Sequence, residues 1–149
     1  MKNSINGWLI LNKPEGMSSA KAVAIVKRLL KPKKIGHAGT LDPLACGVLP
    51  LAIGEATKLS SFAMSDEKEY EFTVKWGEDT TTDDREGDVV ASSDVRPNQQ
   101  QIVNLLSEFI GDIEQTPPIY SAIKVDGKRA YKLARGSRSS AKAPKNKYL

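Results

Sequence analysis

The residues best suited to chemistry in this chain fall in one stretch, residues 36–58, which reads GHAGTLDPLACGVLPLAIGEATK. It holds the only histidine, His37, and an aspartate, Asp42, set among Leu41, Pro43 and Leu44. A carboxylate in so apolar a setting needs a partner or a task. Pro43 lacks a backbone donor and disfavours helical geometry at the residue before it, so Asp42 should be presented on extended chain. Gly36, Gly39 and Gly47 let the loop bend and let another molecule's backbone come close. On spacing alone two readings stay open: a functional carboxylate, or an Asx-turn in which Asp42 hydrogen-bonds its own backbone beside the proline. Cys46, at a strand start, reads as a small buried residue more readily than as a nucleophilic thiol.

The loop must be carried by the elements on either side of it. Val48 to Ile53 is a continuous apolar run and predicts a buried strand; Trp8 to Leu11 predicts another, closed by a turn at Asn12, Lys13 and Pro14. Between them Ser18 or Ser19 caps a helix in which Ala22, Val23, Val26, Leu29 and Leu30 recur at helical spacing, and Pro32 ends it. Residues 55–64 predict a short helix with Ala56, Leu59 and Phe62 on one side. Tyr70, Phe72, Val74 and Trp76 alternate with Glu71, Thr73 and Lys75, the pattern of a half-buried strand. An acidic, turn-rich loop follows over residues 77–88. Asn98 then caps a second helix carrying Ile102, Leu105, Leu106 and Phe109 on one face, with Gln101 placed for a capping box and Gly111 closing it. Asp126 and Gly127 predict a tight turn.

With 149 residues, 40% of them hydrophobic and 27% charged, the chain has the composition of an ordinary soluble globular protein and the length of one domain. No apolar run approaches the ~20 residues that span a bilayer, and the N-terminus lacks a signal-peptide layout, so the expected location is cytoplasmic, with no membrane partner. One cysteine and one histidine cannot build a structural zinc site, and no metal is expected. The net charge of +4 lies in residues 136–149, which hold Arg138, Lys142, Lys145 and Lys147 and no acid. Two local basic clusters remain. Lys27, Arg28, Lys31, Lys33 and Lys34 precede the Asp42 loop, and Lys124, Lys128, Arg129, Lys132 and Arg135 form the second. Either suits RNA phosphates; the alternative is that these lysines solvate an exposed helix end and compensate its dipole, the commoner fate of such runs.

The run GHAGTLDPLACGVLP, with NKPEGMSS at residues 12–19 before it and KEY at residues 68–70 after it, resembles the start of the TruB-type tRNA pseudouridine synthases. The resemblance is in order and at natural spacing, and it covers about the first 135 residues. It implies an α+β fold, a mixed, mainly antiparallel sheet with flanking helices. It also implies isomerisation of a T-loop uridine of tRNA to pseudouridine with no metal or organic cofactor. Asp42 is then the catalytic nucleophile, His37 contacts the loop vacated by the extracted uridine, and Tyr70 stacks on its ring. Whether Asp42 attacks ribose, attacks uracil or removes a proton on the way to a glycal is left open. Lys13 and Pro14 become structural supports. The segment GDIEQTPPIYSAIKVDGKRAYKLAR resembles the family's T-arm grip, where Tyr120, Lys124, Lys128, Arg129 and Arg135 suit RNA contacts. Thr80, Thr81 and Thr82 stand where the family commonly has T-D-T, which leaves Asp83 or Asp84 to supply a polar contact.

The expected organisation is therefore an N-terminal portion of the catalytic domain over residues 1–135, an incomplete pseudouridine synthase fold, and a basic tail over residues 136–149. The tail sequence, GSRSSAKAPKNKYL, is low in hydrophobicity and without periodicity, and reads as disordered. In the family a later K-G-T-Y-I-R-like segment supplies an arginine that pairs with the catalytic aspartate. Burial among leucines would favour the neutral acid, so without that cation impaired turnover is expected. The alternatives are a non-catalytic RNA-binding remnant and the product of a degraded gene. Nothing in the sequence identifies a protein partner.

Overall fold

Ser18, extended at φ −70° and ψ 151°, accepts a hydrogen bond from the Lys21 amide and starts helix α1, Ser19–Leu30. Lys31 ends it in the left-handed region at φ 47°, with its N–H bonded to the Lys27 carbonyl. The computed structural model containing this helix describes residues 3–65, 67–115, 124–125, 128–129 and 147–148. The chain divides into two compact units, Met1–Glu71 and Phe72–Leu149.

In the first unit α1 is preceded by strand β1, Gly7–Lys13, and followed by β2, Ile35–His37, and β3, Gly47–Ile53. The sheet order is β1-β3-β2, both pairs antiparallel, with Leu11 opposite Leu49, Leu9 opposite Leu51 and Ile35 opposite Ile53. Side chains alternate across a strand, so Leu49 and Leu51 share one face. That face meets Ala22 and Val26 of α1 to form the core, and Leu11, Met17, Val23, Leu30, Ile35 and Leu41 pack around it. Trp8, Ile10 and Val48 belong to the opposite face by the same alternation, and Ile10 and Val48 are 62% and 68% exposed. The expectation that both apolar runs are buried strands thus holds in part: Leu49, Leu51, Ala52 and Ile53 of β3 are buried, whereas Trp8, Leu9 and Ile10 of β1 and Val48 of β3 are exposed. An apolar run predicts a strand without stating how many of its faces a second layer covers.

Past β3 a 3-10 turn over Gly54–Leu59 leads into helix α2, Ser60–Met64. Ala56 is buried there, whereas Leu59 and Phe62, expected on the same buried side, are exposed. The stretch from Tyr70 to Trp76 is not a strand, and Tyr70, Phe72, Val74 and Trp76 are all exposed. Period-two alternation fits a half-buried strand only when a neighbouring strand accepts its hydrogen bonds, and none does among the described residues.

The second unit contains a hairpin where only a loop was expected: β4, Glu78–Thr80, pairs with β5, Val89–Ser92. Its connection is built by Asp84, whose carboxylate accepts from the Thr82 hydroxyl at 2.5 Å and the Glu86 amide at 2.8 Å. Helix α3, Gln99–Leu106, opens with the expected capping box: the Asn98 side chain accepts from the Gln101 amide, and the Gln101 side chain accepts from the Asn98 amide. Three short ladder elements and a fourth follow: β6, Glu114–Gln115; β7, Lys124–Val125; β8, Lys128–Arg129; β9, Lys147–Tyr148. β7 pairs with β8 and β6 with β9, all antiparallel. Asp126 and Gly127, the expected turn, lie outside the described residues. β9 falls within the stretch expected to be a disordered tail; it pairs because a ladder needs only backbone N–H and C=O groups, which any composition provides.

Candidate active site

The loop that carries Asp42 hangs between two strands of one sheet. β2 ends at His37 and β3 begins at Gly47, and the Ala38 amide bonds the Pro50 carbonyl at 2.9 Å, which closes the neck. Gly39 and Gly47 bracket the loop at φ +115° and +128°. Gly36, expected to bend with them, is an ordinary β2 residue opposite Ala52.

His37 is half-buried, and its Nδ1 bonds the Gly39 carbonyl. A carbonyl only accepts, so Nδ1 carries the proton and Nε2 is the nitrogen left to face another group. The histidine therefore braces its own loop.

Three backbone segments around Asp42 are anchored. On its N-terminal side the Leu41 amide donates to Ser19 Oγ at 2.9 Å, and the same hydroxyl donates to the Leu41 carbonyl at 2.9 Å. On its C-terminal side the Gly16 amide donates to the Pro43 carbonyl at 2.7 Å. Asp42 itself closes a turn through its backbone carbonyl, which accepts from the Ala45 amide at 3.1 Å. The carboxylate is not part of that turn. It is exposed, and among the described residues no hydrogen bond or salt bridge engages it. This corrects the expectation of an aspartate buried among leucines: Leu41 turns into the core and Leu44 is half-buried, while the residue between them and Pro43 points out. Cys46 is likewise exposed rather than buried.

The support under this loop is the β1–α1 connection. Lys13 is fully buried, and its Nζ donates to the Pro14 carbonyl at 2.9 Å and the Met17 carbonyl at 2.6 Å. A buried ammonium is tolerated when such acceptors surround it, and here they fold residues 14–17 into the turn whose Gly16 holds Pro43. Lys13 is thus the structural support anticipated. The cap role that either serine could fill falls to Ser18, which leaves the Ser19 hydroxyl for Leu41.

Tyr70 lies in the same unit, 64% exposed on the stretch after α2. Among the described residues no hydrogen bond involves it. Lys124, Lys128 and Arg129 are placed by backbone pairing, Lys124 opposite Arg129 and Val125 opposite Lys128. Tyr120 and Arg135 lie outside the described residues. Asp84, a candidate polar contact, is engaged within its own hairpin, and Asp83 adopts φ +58° beside it.

The first basic cluster lines the end of α1 and the segment to β2. Lys27, Arg28, Lys31, Lys33 and Lys34 are all exposed. Glu55 lies near this cluster: its carboxyl is held below the ordinary range, first by the Lys58 hydrogen bond and charge and then by Lys34 and Lys33. Among the described residues no group of three or more His, Cys, Asp or Glu could hold a metal ion, and no helix is long and apolar enough to cross a membrane.

Comparison with known proteins places these features in a family. The family model described as TruB family pseudouridylate synthase (N terminal domain) matches residues 27–148. The tRNA pseudouridine synthase B of Wolbachia pipientis subsp. Culex pipiens (strain wPip) is 57% identical over 131 residues, covering 88% of this chain and 37% of that protein. The tRNA pseudouridine synthase B of Caulobacter sp. (strain K31) is 58% identical over 133 residues, covering 89% of this chain and 43% of that protein. The chain thus spans well under half the length of these curated relatives. Among solved structures, the crystal structure of a Cbf5-Nop10-Gar1 complex is similar with a TM-score of 0.53 at 30% identity, covering 79% of this chain and 31% of that chain.

Proposed function

The chain belongs to the TruB family of pseudouridylate synthases, and from that premise we propose that it isomerises a T-loop uridine of tRNA to pseudouridine, with Asp42 as the nucleophile. One observation carries the reading: within the family's G-T-L-D-P run the backbone around Asp42 is anchored on both sides while its carboxylate stays exposed and unengaged by the turn. Isomerisation breaks the N1–C1′ glycosidic bond and forms C5–C1′; C5 loses a proton and N1 gains one, so atoms and electrons balance without an oxidant or reductant. A base inside a folded RNA must be extracted first, at a cost of a few kcal/mol. Tyr70 offers an exposed aromatic face to the extracted ring, and His37 offers Nε2 to the loop it leaves. Lys124, Lys128, Arg129 and Arg135 serve the T-arm backbone, and the reaction takes place in the cytoplasm. Residues 1–135 carry this work and residues 136–149 do not.

A single-turnover assay on a T-arm stem-loop tests the proposal. Conversion of the stem-loop by the 149-residue chain at enzyme excess is the expected result. Stem-loop binding with no conversion at enzyme excess overturns the catalytic reading and leaves an RNA-binding protein.

The first basic cluster gives a separate expectation. If Lys33 and Lys34 meet phosphates, the double change Lys33→Glu and Lys34→Glu weakens stem-loop binding and lowers the slope of log affinity against log salt by about 2. If they only solvate the helix end, thermal stability moves and the salt slope does not.

A further inference from the structure

We propose that Ser19 is a positioning residue for Asp42. This rests on the reading of Asp42 as the nucleophile. Ser19 lies 22 residues before Leu41 in sequence and is 3% exposed, and its one hydroxyl meets both backbone polar groups of Leu41 at 2.9 Å. The N–H it accepts from belongs to the peptide unit between Thr40 and Leu41. The C=O it donates to belongs to the unit between Leu41 and Asp42. Fixing both planes fixes the dihedrals of Leu41 and hence the direction from which the Asp42 main chain departs. On the far side the Gly16–Pro43 bond holds one further plane, that of the peptide unit between Pro43 and Leu44. The nucleophile is then left only its side-chain torsions to search, the condition under which small displacements are costly in rate.

Ser18 provides the helix cap, so the second serine is not required to start α1. Ser19→Ala removes the hydroxyl and leaves two part-buried backbone groups of Leu41 without their partner. The expected outcome is a single-turnover rate lower by about tenfold or more, with stem-loop affinity within about twofold of the wild type. In the same variant the Leu41 amide exchanges faster with solvent, and the Asp42 carboxylate carbon resonance, assigned by its loss in Asp42→Asn, shifts. Ser19→Thr keeps the hydroxyl and Ser19→Val has the same shape without it; the rate and the resonance recover in the first and not in the second. A freed Leu41 amide with an unmoved Asp42 resonance and an unchanged rate overturns the proposal, as does equal behaviour of Ser19→Thr and Ser19→Val. Should the wild-type chain convert no uridine, the functional reading fails on that result alone, and the Asp42 resonance in Ser19→Ala still decides whether the hydroxyl positions the carboxylate.

Discussion

Asp42→Asn is expected to lower single-turnover pseudouridine formation by at least about a thousandfold while leaving stem-loop affinity within about twofold of the wild type. The change is close to isosteric and removes only the charge and one acceptor oxygen. Each bond that shapes the loop around it uses main-chain atoms or other side chains: Leu41 with Ser19, Gly16 with Pro43, Ala45 with the Asp42 carbonyl, and His37 with Gly39. The exposed carboxylate supports none of them, so the variant should unfold at the wild-type temperature. Loss of activity without loss of stability is the signature of a reacting group. RNA affinity, by contrast, is dominated by phosphate contacts from cations, and an uncharged amide in the loop weakens none of those. The rate is read by mass spectrometry of the modified stem-loop and the affinity by filter binding. Conversion that persists in Asp42→Asn would remove Asp42 from the chemistry, whatever its place in the family pattern.

The features that were legible in the sequence are those whose cause is local. The capping box of α3 needs only Asn98 and Gln101 three residues apart, and both of its bonds are present. The α1 helix, its serine cap and its end ahead of Pro32 follow from spacing along one stretch of chain. Asp42 could be singled out because an acid among leucines conflicts with its surroundings, and the family pattern gave it a role that spacing could not. Its exposure was not legible. Whether a residue between two apolar neighbours points in or out depends on which of them the core takes, and Leu41 is the one taken.

Other features depend on partners far away in sequence. Tyr70 to Trp76 has a strand's alternation, but a strand exists only with a neighbour to pair with, and alternation carries no information about the neighbour. The outer face of β1 and β3 reads as core because Trp8, Ile10 and Val48 are apolar, yet burial depends on a second layer on that side. Ser19 reaches Leu41 across 22 residues. Its only trace in the sequence is that two consecutive serines stand where a helix needs one cap, which leaves a hydroxyl to be accounted for.

Gly54→Ala is expected to destabilise the chain by about 3 kcal/mol or more, from two additive causes. Gly54 sits at φ +61°, where an L side chain meets the backbone unfavourably at a cost of roughly 1–2 kcal/mol. A Cβ built there would also lie 2.1 Å from Asn6 Oδ1 and 2.5 Å from the Ile5 carbonyl oxygen. The Asn6 side chain could rotate away, but it accepts the Glu55 amide at 2.9 Å, and the Ile5 carbonyl is main chain and cannot. Relief therefore requires backbone movement at the corner where the chain before β1 meets the end of β3, which also holds the Gly54 amide on the Lys34 carbonyl at 2.8 Å. Gly36→Ala is the matched control, since Gly36 has an ordinary strand φ and nothing within 4 Å of an added Cβ. Urea unfolding should place Gly36→Ala within about 1 kcal/mol of the wild type and Gly54→Ala well below it. Because β2 and β3 are the two posts of the Asp42 loop, the corner that joins Lys34 to Gly54 fixes their spacing. A Gly54→Ala chain still folded at low temperature should then lose isomerisation before it loses helix α1. Equal stability of the two variants would show that this corner yields freely and does not fix the spacing of the two strands.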